Sequence, residues 1–169
     1  MPNSSNTFLT DQTPLQAADA VCALLLHDDG RYLVQHRDDM KGIWYPDHWG
    51  LFGGGVESGE DPETALHREL QEELQIAPRS QEQVSRFDFD LSYFGLGRFY
   101  RITYLVPIND ADVSRIVLGE GQAYGLYEGG ELLQKHPVVP YDSFALWLHY
   151  SKRRLGRGSF SPSAGGVVQ

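Results

Sequence analysis

The sequence predicts a single α+β domain, and three observations support this fold class. The chain has 169 residues, of which 41% are apolar and 22% charged, as is typical of one globular domain. Short apolar runs bounded by Gly, Pro, Asn and Asp indicate several strands. Two other segments have apolar residues at the spacing of amphipathic helices, so the chain combines strands with helices.

The first third of the chain predicts three strands. Residues 18–26 form an apolar run, and residues 31–36 are its expected partner, because the Asp-Asp-Gly turn at 28–30 is a strong hairpin signal. The aromatic-rich segment 44–52 predicts a loop followed by a short strand. Three consecutive glycines at 53–55 end that strand.

A helix from Pro62 to about Gln75 is the clearest local prediction. Asp61 is a good N-cap, and Pro62 suits the first helical position because a helix start needs no N–H donor there. Glu63 favours the positive end of the helix dipole. These three residues together fix where the helix begins.

The remaining elements are three strands and a second helix. Strands are expected over 84–94 and 98–108, joined by a hairpin loop at 95–97, and a further short strand over 123–127. Apolar residues at helical spacing within 141–155 predict a C-terminal amphipathic helix.

These elements place one domain at residues 17–155. Residues 1–16 and the Gly- and Ser-rich residues 156–169 have little to pack, so we expect a flexible lead-in and a flexible tail. No apolar run reaches the roughly 20 residues of a membrane span, and the first residues carry no basic start. We therefore expect a cytoplasmic protein without a membrane partner. The single cysteine, Cys22, lies in an apolar run and is expected to be a buried thiol.

The net charge excludes one class of partner. The chain has 23 acidic and 14 basic residues, which gives a formal charge of -9. This is the wrong sign for binding the backbone of DNA or RNA, so no nucleic-acid polymer is expected as a partner. An anionic small molecule would need a metal cation between it and this acidic protein.

Three glutamates share one side of the predicted first helix. At about 100° per residue, Glu69, Glu72 and Glu73 fall within one arc, next to an apolar arc of leucines. Like charges at these spacings repel one another, and Arg68 offsets only part of the repulsion. A divalent cation such as Mg²⁺, which prefers oxygen ligands, would neutralise them. A solvated acidic face is the alternative, because Glu is a strong helix former.

The glycine-rich loop at 53–60 favours the metal site. It lacks the Lys-Ser or Lys-Thr ending of a P-loop and the G-x-G-x-x-G of a dinucleotide-binding turn. It carries two acids, Glu57 and Glu60. A close backbone approach to a metal-bridged pyrophosphate is the functional interpretation of this loop.

Residues 54–76 resemble the Nudix box, G-x5-E-x7-R-E-U-x-E-E-x-G-U, in which U is aliphatic. The matching positions are Gly54, Glu60, Arg68, Glu69, Leu70, Glu72, Glu73 and Ile76. Gln75 alone departs, where the family has glycine, and this position closes the helix. The resemblance implies an α/β/α sandwich with a mixed central sheet. It also implies a metal-dependent hydrolase of nucleoside diphosphates linked to another group, in which water attacks a phosphorus atom.

The resemblance assigns roles within the box. The implied metal-binding positions are Gly54, through its carbonyl, Glu60, Glu69, Glu72 and Glu73, with Glu69 and Glu73 as the principal ligands. Arg68 is expected to hold a carboxylate in place, because guanidinium can pair with it in a bidentate manner. Mg²⁺ is the expected ion, with Mn²⁺ as the alternative.

An additional acid from a later loop is common in this family. Glu120 is the candidate for a further metal ligand or general base, because Gly119 and Gly121 beside it allow a close approach. An ordinary surface-turn glutamate explains the residue equally well. Glu128 and Glu131 are weaker candidates for the same role.

Substrate contacts are the least specific part of the pattern. Arg37, Arg98 and Arg101 are candidate phosphate contacts, although arginines on a surface are usually solvated. Tyr93 is a candidate substrate contact, because it lies near the place where relatives that cleave dinucleoside polyphosphates carry a tyrosine.

Three functional hypotheses remain open from the sequence. The leading one is an Mg²⁺-dependent hydrolase of a nucleotide sugar, a nucleoside triphosphate or a dinucleotide. The second is a Nudix-fold module that binds a nucleotide without cleaving it, which the intact glutamates of the box disfavour. The third is a hydrolase or isomerase of a non-nucleotide diphosphate. Many members of the family are homodimers, but no residue pattern in this chain predicts that assembly by itself.

Overall fold

The computed structural model describes residues 18–95 and 97–157. Within them, six strands form one mixed sheet with helices on both faces, as the resemblance predicts. The strands are β1 Ala20–His27, β2 Tyr32–His36, β3 Trp49–Gly50, β4 Glu82–Asp90, β5 Arg98–Ile108 and β6 Ala123–Tyr127. The helices are α1 Pro62–Leu74, α2 Asp110–Val113, α3 Gly129–Lys135 and α4 Pro140–Arg157.

The centre of the sheet opens to admit the glycine segment, residues 53–55. Strand β1 pairs along its whole length with β5 in parallel, but pairs with β2 only near its C-terminal end. Nearer its start, β1 is bonded to the chain that follows β3: Val21 N–H donates to the Gly54 carbonyl at 2.9 Å, and Ala23 N–H donates to the Phe52 carbonyl at 2.8 Å. The sheet therefore holds the glycine segment beside the start of β1.

The two faces of β1 belong to different cores. Val21, Ala23 and Leu25 pack with the leucines of α1, whereas Cys22 and Leu24 pack on the opposite face with residues of α3 and α4. All five side chains are fully buried, and the prediction of a buried Cys22 thiol is confirmed. This alternation fixes α1 against one face of the sheet, directly below the glycine segment.

Helix α1 begins and ends as its sequence indicates. The Asp61 side chain accepts the N–H groups of Glu63 and Thr64, each at 3.1 Å, which confirms the predicted N-cap. Gln75 adopts the left-handed conformation, with φ 56° and ψ 33°, and ends the helix. Gln75 therefore takes the conformation that glycine adopts most readily at a helix end.

Replacing Gln75 with glycine is expected to stabilise the protein by about 0.5 to 1 kcal/mol, because a side chain at positive φ is strained there. The matched control is Gln71→Gly, at an exposed interior position of α1, which should destabilise by about 1 kcal/mol. Urea unfolding of both variants measures the difference. A Gln75→Gly variant that is less stable than the wild type would contradict this account of the helix end.

The predicted strand over 84–94 is wrong at its C-terminal end. Strand β4 stops at Asp90, and Ser92–Phe94 form a short 3-10 helix. The Asp90 side chain accepts the Ser92 N–H at 3.1 Å, and Gly95 N–H donates to the Ser92 carbonyl at 3.0 Å, so local hydrogen bonds turn the chain. Leu96, in the predicted hairpin loop, lies outside the described residues.

Two short helices were not predicted, because each is too short to show an apolar period. Helix α2 follows an Asn109 capping box, and α3 follows the N-cap Glu128. Helix α4 continues through Arg157 and so includes the first two residues of the predicted flexible tail. The rest of that tail and the predicted lead-in lie outside the described residues. No helix in the described part of the chain is long and apolar enough to cross a membrane.

Candidate active site

The glycine segment has no room for side chains at its first two positions. Gly53 has φ +128°, and a Cβ there would lie 2.3 Å from the Val21 carbonyl oxygen. A Cβ at Gly54 would lie 2.6 Å from both carboxylate oxygens of Glu69. Gly55 is more open, with its nearest neighbour at 4.0 Å. The backbone at Gly53 and Gly54 therefore contacts β1 and a carboxylate of α1 directly.

Glu73 is the most buried acid of α1, with 5% of the residue exposed. Its Oε2 accepts the Gly53 N–H at 2.7 Å, which joins the helix to the glycine segment. Burial raises the pKa of the Glu73 carboxyl to about 8, and the charges of Glu69 and Glu120 add to the rise. The Gly53 hydrogen bond and the Arg37 charge act in the opposite direction. Glu73 is thus held in a place that disfavours its charged form.

Arg68 holds two glutamates of the site at once. Its Nε and Nη2 donate to the two carboxylate oxygens of Glu60 at 3.0 and 2.9 Å, and its Nη1 donates to Glu69 at 2.7 Å. The Arg68 hydrogen bonds hold the pKa of Glu60 below its ordinary value. Arg68 also donates to the Gly55 carbonyl at 2.8 Å. This geometry supports the predicted role of Arg68 in holding carboxylates.

Glu120 lies on a loop that packs on the C-terminal end of α1. Gly119 N–H donates to the Glu73 carbonyl at 2.8 Å, and a Cβ at Gly119 would lie 2.3 Å from the Glu72 carbonyl oxygen. On the other side of Glu120, Gly121 has φ +86°. The two glycines therefore allow the close approach that the sequence predicted.

The carboxylates of Glu69, Glu73 and Glu120 affect one another electrostatically. Burial raises the pKa of Glu69, where the Arg68 hydrogen bond and charge act in the opposite direction, and the charges of Glu72 and Glu120 raise it further. The Glu120 charge acts on Glu73 in the same direction. Glu69 and Glu73 thus carry like charge beside the glycine segment, and Glu120 adds to it from its loop, so a cation would relieve the repulsion.

The family model described as NUDIX domain matches residues 16–144. The chain belongs to the NUDIX family. Nucleoside triphosphatase NudI of Escherichia coli O139:H28 (strain E24377A / ETEC) is 52% identical over 54 residues, which are 32% of this chain and 37% of NudI. The match therefore spans little more than a third of that relative.

Solved Nudix-type structures confirm the fold. The Escherichia coli ORF135 protein has a TM-score of 0.65 and 26% identity over 85% of this chain and 95% of its own. MutT from Aliivibrio salmonicida or Vibrio cholerae has a TM-score of 0.64 and 25% identity over 81% of this chain and 99% of its own. The predicted family resemblance and the predicted α+β sandwich are both confirmed. The similarity to an enzyme, NudI, agrees with the prediction of an enzyme.

The residues of this Nudix box fit a hard divalent cation. The acidic side chains at the glycine segment, Glu69 and Glu73, offer only oxygen ligands, and the Glu69 carboxylate fills the place where Gly54 lacks a side chain. Among the described residues, no group of three or more His, Cys, Asp or Glu is already arranged to hold a metal ion. The fit therefore rests on the charge and chemistry of Glu69, Glu73 and Glu120.

Three other predicted metal-binding positions, Glu72, Gly54 and Glu60, are placed less directly. The Glu72 side chain is 60% exposed and its Oε2 lies 3.4 Å from Arg68 Nη1. The Gly54 carbonyl accepts the Val21 N–H, so one of its lone pairs is already used within the sheet. Glu60 is paired with Arg68 in this structure. The metal-binding roles of these three residues stay predictions.

The candidate substrate residues of the Nudix domain occupy different places. Burial raises the pKa of both Glu73 and Tyr141, and the charge of nearby Arg37 acts against that rise in both. The Arg37 Nε donates to the Trp44 carbonyl at 3.1 Å. Arg101 is instead paired with the buried Asp142 at 2.9 Å. The charge of Arg37 therefore acts on Glu73, one of the glutamates of the site.

Arg98 and Tyr93 lie together where β4 turns into β5. Arg98 pairs with Asp90 at 2.9 Å, and its side chain is 80% exposed. Tyr93 is 93% exposed. Because β5 begins beside the start of β1, this turn lies at the same end of the sheet as the glycine segment. Their predicted substrate contacts are not tested by this placement.

Glu128 and Glu131 fill ordinary structural places. Glu128 accepts the Glu131 N–H at 3.0 Å as the N-cap of α3, and Glu131 pairs with Lys135 at 3.1 Å. Glu131 thus contacts its own helix, whereas Glu128 also forms a side-chain hydrogen bond with Tyr150 of α4.

Sequence reasoning missed Asp142 as a residue connected to the site. Its side chain is buried and accepts the Leu51 N–H, two residues before the glycine segment. An acid in the first turn of a helix is an ordinary sequence feature. Leu51 lies 91 positions before Asp142 in the chain, so no local signal pointed to the contact.

Proposed function

We propose that this Nudix chain is a divalent-metal-dependent hydrolase that cleaves a phosphoanhydride bond of a small nucleoside diphosphate or triphosphate derivative. The observation that supports it best is that the Glu69 and Glu73 carboxylates both lie against the glycine segment, while Glu120 adds like charge from a loop bound to α1. NudI, with which the chain shares 52% identity over 54 residues, is a nucleoside triphosphatase. Nucleoside triphosphates are therefore the first substrates to test, before nucleotide sugars and dinucleotides.

Mg²⁺, or Mn²⁺ in its place, is the proposed ion, with Glu69 and Glu73 as its principal ligands. When bound, it supplies neutralisation of the phosphate oxygens and lowers the pKa of water. Arg68 keeps the Glu69 carboxylate beside Gly54 through its 2.7 Å hydrogen bond. The Gly53 N–H holds the Glu73 carboxylate at the glycine segment through a 2.7 Å hydrogen bond. The protein thus positions both carboxylates before substrate arrives.

Glu120 is the proposed general base. Its loop is fixed to α1 through Gly119, and its backbone carbonyl accepts a hydrogen bond from Gln35 Nε2 at 3.0 Å. These contacts use the backbone and leave the carboxylate available to accept a proton from the attacking water. The cytoplasmic location and the small-molecule substrate of the sequence prediction are kept as part of this proposal.

A substrate panel tests the proposed reaction. The protein with Mg²⁺ is incubated with nucleoside triphosphates, nucleotide sugars, dinucleoside polyphosphates and prenyl diphosphates, and the products are separated by chromatography. We expect cleavage of a nucleotide that stops when EDTA removes the ion. Saturable nucleotide binding without cleavage would contradict hydrolysis and favour a binding module. Cleavage of prenyl diphosphates alone would contradict a nucleotide substrate.

Arg37 is the proposed phosphate contact, and its replacement by alanine is expected to lower kcat/KM by about 10- to 100-fold. The matched control is Arg86→Ala, because Arg86 is an exposed arginine of β4 paired with Asp88 at 2.8 Å. The control should stay within about 3-fold of the wild type. Equal losses in the two variants would show that Arg37 has no specific role in binding phosphate.

A further inference from the structure

Two buried carboxylates hold alternate N–H groups along the chain that enters the glycine segment. The Leu51 N–H donates to Asp142 Oδ2 at 2.9 Å, and the Gly53 N–H donates to Glu73 Oε2 at 2.7 Å. The opposite edge of this chain is bonded to β1. Helices α4 and α1 lie on opposite faces of the sheet. A carboxylate from each of them therefore holds the side of residues 51–53 that faces away from β1.

Asp142 completes a hydrogen-bond ladder that the backbone does not continue. The Trp49 N–H donates to the Pro137 carbonyl, and the Val139 N–H donates to the Trp49 carbonyl, both at 2.8 Å. Helix α4 then begins, so the backbone turns away before it reaches Leu51. The Asp142 side chain supplies the acceptor that Leu51 needs, since a buried N–H without one is costly.

Arg101 fixes the orientation of the Asp142 carboxylate. Asp142 is 2% exposed, and its Oδ1 accepts a hydrogen bond from Arg101 Nη2 at 2.9 Å. The Arg101 guanidinium lies over the Tyr141 ring, 4.1 Å from its centroid. A Cβ at Gly50 would lie only 3.0 Å from Asp142 Oδ2, so the glycine leaves the space that this carboxylate occupies. The position of Asp142 is thus defined by the Leu51 N–H on one oxygen and by Arg101 on the other.

We propose that Asp142, oriented by Arg101, is a positioning residue for Glu73. It sets the place of residues 51–53 and thereby of the Gly53 N–H that holds the Glu73 carboxylate. This inference rests on the proposed function of Glu73 as a metal ligand. Groups that orient metal ligands contribute to metal affinity without touching the ion, and small displacements of such ligands reduce turnover.

The test is the isosteric variant D142N. An asparagine has one oxygen, so it can serve either the Leu51 N–H or Arg101, and its amide group then faces the other donor. We expect the Kd of the metal-free protein for Mn²⁺, measured by electron paramagnetic resonance, to rise about 10-fold. Exchange of the Gly53 amide hydrogen, followed by NMR, should accelerate about 10-fold. The kcat should fall about 10-fold, with KM within about 3-fold of the wild type.

The matched control is D112N, because Asp112 has the same kinds of partner away from the site. Asp112 is 9% exposed, accepts the Asn109 N–H at 3.0 Å and pairs with Arg115 at 3.2 Å. This variant should lose comparable thermal stability while Mn²⁺ affinity, Gly53 exchange and kcat stay within about 2-fold of the wild type. Equal effects of D112N and D142N at matched stability would overturn the inference.

A rescue variant separates positioning from packing. In R101M/D142N the opposing donor is removed, so the asparagine oxygen is free to accept the Leu51 N–H. We expect Mn²⁺ affinity and kcat to return to within about 3-fold of the wild type, and a double variant as impaired as D142N overturns the inference. If D142N does not fold, R101K gives the same readouts with an expected change of about 3- to 10-fold, because lysine lacks the planar donor pair. If R101K has the wild-type Mn²⁺ affinity, Gly53 amide exchange and kcat, the inference is overturned.

The readouts also separate this inference from the proposed function. Mn²⁺ affinity and Gly53 exchange need no substrate, so they test the position of Glu73 even if the substrate panel shows no cleavage. If the wild type cleaves a nucleotide and D142N matches it in all three measurements, the inference fails and the proposed function stands.

Discussion

Replacing Glu73 with glutamine is expected to lower kcat about 1,000-fold and to raise the stability of the metal-free protein. The loss of activity follows from the loss of a charged ligand beside the phosphates. The gain in stability follows from burial, since only 5% of Glu73 is exposed. A glutamine oxygen still accepts the Gly53 N–H but carries no charge to desolvate. We expect this to raise the free energy of unfolding by about 2 kcal/mol at pH 8.

The change of stability with pH is expected to depend on the same Glu73 carboxyl group. The pKa of Glu73 is about 8 in the folded protein against an ordinary value of 4.5, so the folded state binds a proton more tightly than the unfolded state. Stability of the metal-free protein should therefore fall as pH rises from about 4.5 to 8, and the contribution of Glu73 should be constant outside that window. Urea unfolding in the presence of EDTA should show a shallower decline in Glu73→Gln than in the wild type.

The control for this change is Glu63→Gln, the same substitution at an exposed position in the first turn of α1. It should keep kcat within about 2-fold of the wild type and leave the pH dependence of stability unaltered. A Glu73→Gln variant that retains wild-type turnover with Mg²⁺ present would show that Glu73 is not a principal ligand.

The three consecutive glycines should respond to alanine in three different ways. Gly53→Ala should destabilise the protein by more than about 3 kcal/mol, because its Cβ would lie 2.3 Å from the Val21 carbonyl oxygen at a φ of +128°. A backbone neighbour in the middle of the sheet cannot move aside. Thermal unfolding measures the loss, and a stability within 1 kcal/mol of the wild type would contradict the placement of this segment.

The two neighbouring positions are its matched controls. At Gly54 the close neighbour is the flexible Glu69 carboxylate, at 2.6 Å, so alanine should preserve the fold but displace Glu69 and lower kcat at least about 10-fold. At Gly55 the nearest neighbour is at 4.0 Å, so alanine should change stability by less than about 1 kcal/mol and kcat by less than about 3-fold. Equal effects at all three positions would contradict the geometry described.

Features set by local chemistry were predictable from the sequence. The start of α1 depends on Asp61 and Pro62, which lie next to each other, and both were recognised. The glutamates of the box follow from helical spacing and from the family pattern. Local signals also misled at Ser92, where an apolar and aromatic run favoured a continuing strand, although the Ser92 N–H donates to the Asp90 side chain and the chain turns.

Features that depend on distant pairing were not predictable in the same way. Asp142 reaches Leu51 because α4 begins where the backbone pairing with Trp49 ends, and Arg101 was expected to meet phosphate rather than Asp142. The position of Glu120 was proposed from its flanking glycines, yet its electrostatic effect on Glu73 became visible only with the loop folded onto α1. Long-range burial, which one sequence does not reveal, decides these contacts.

The most direct test of a metal site in this Nudix domain is a crystal structure of the protein grown with Mn²⁺, examined by anomalous diffraction. We expect an anomalous peak within coordination distance of the Glu69 and Glu73 carboxylates, beside the glycine segment. A well-ordered crystal with no peak there, or with the ion bound only elsewhere, would contradict it.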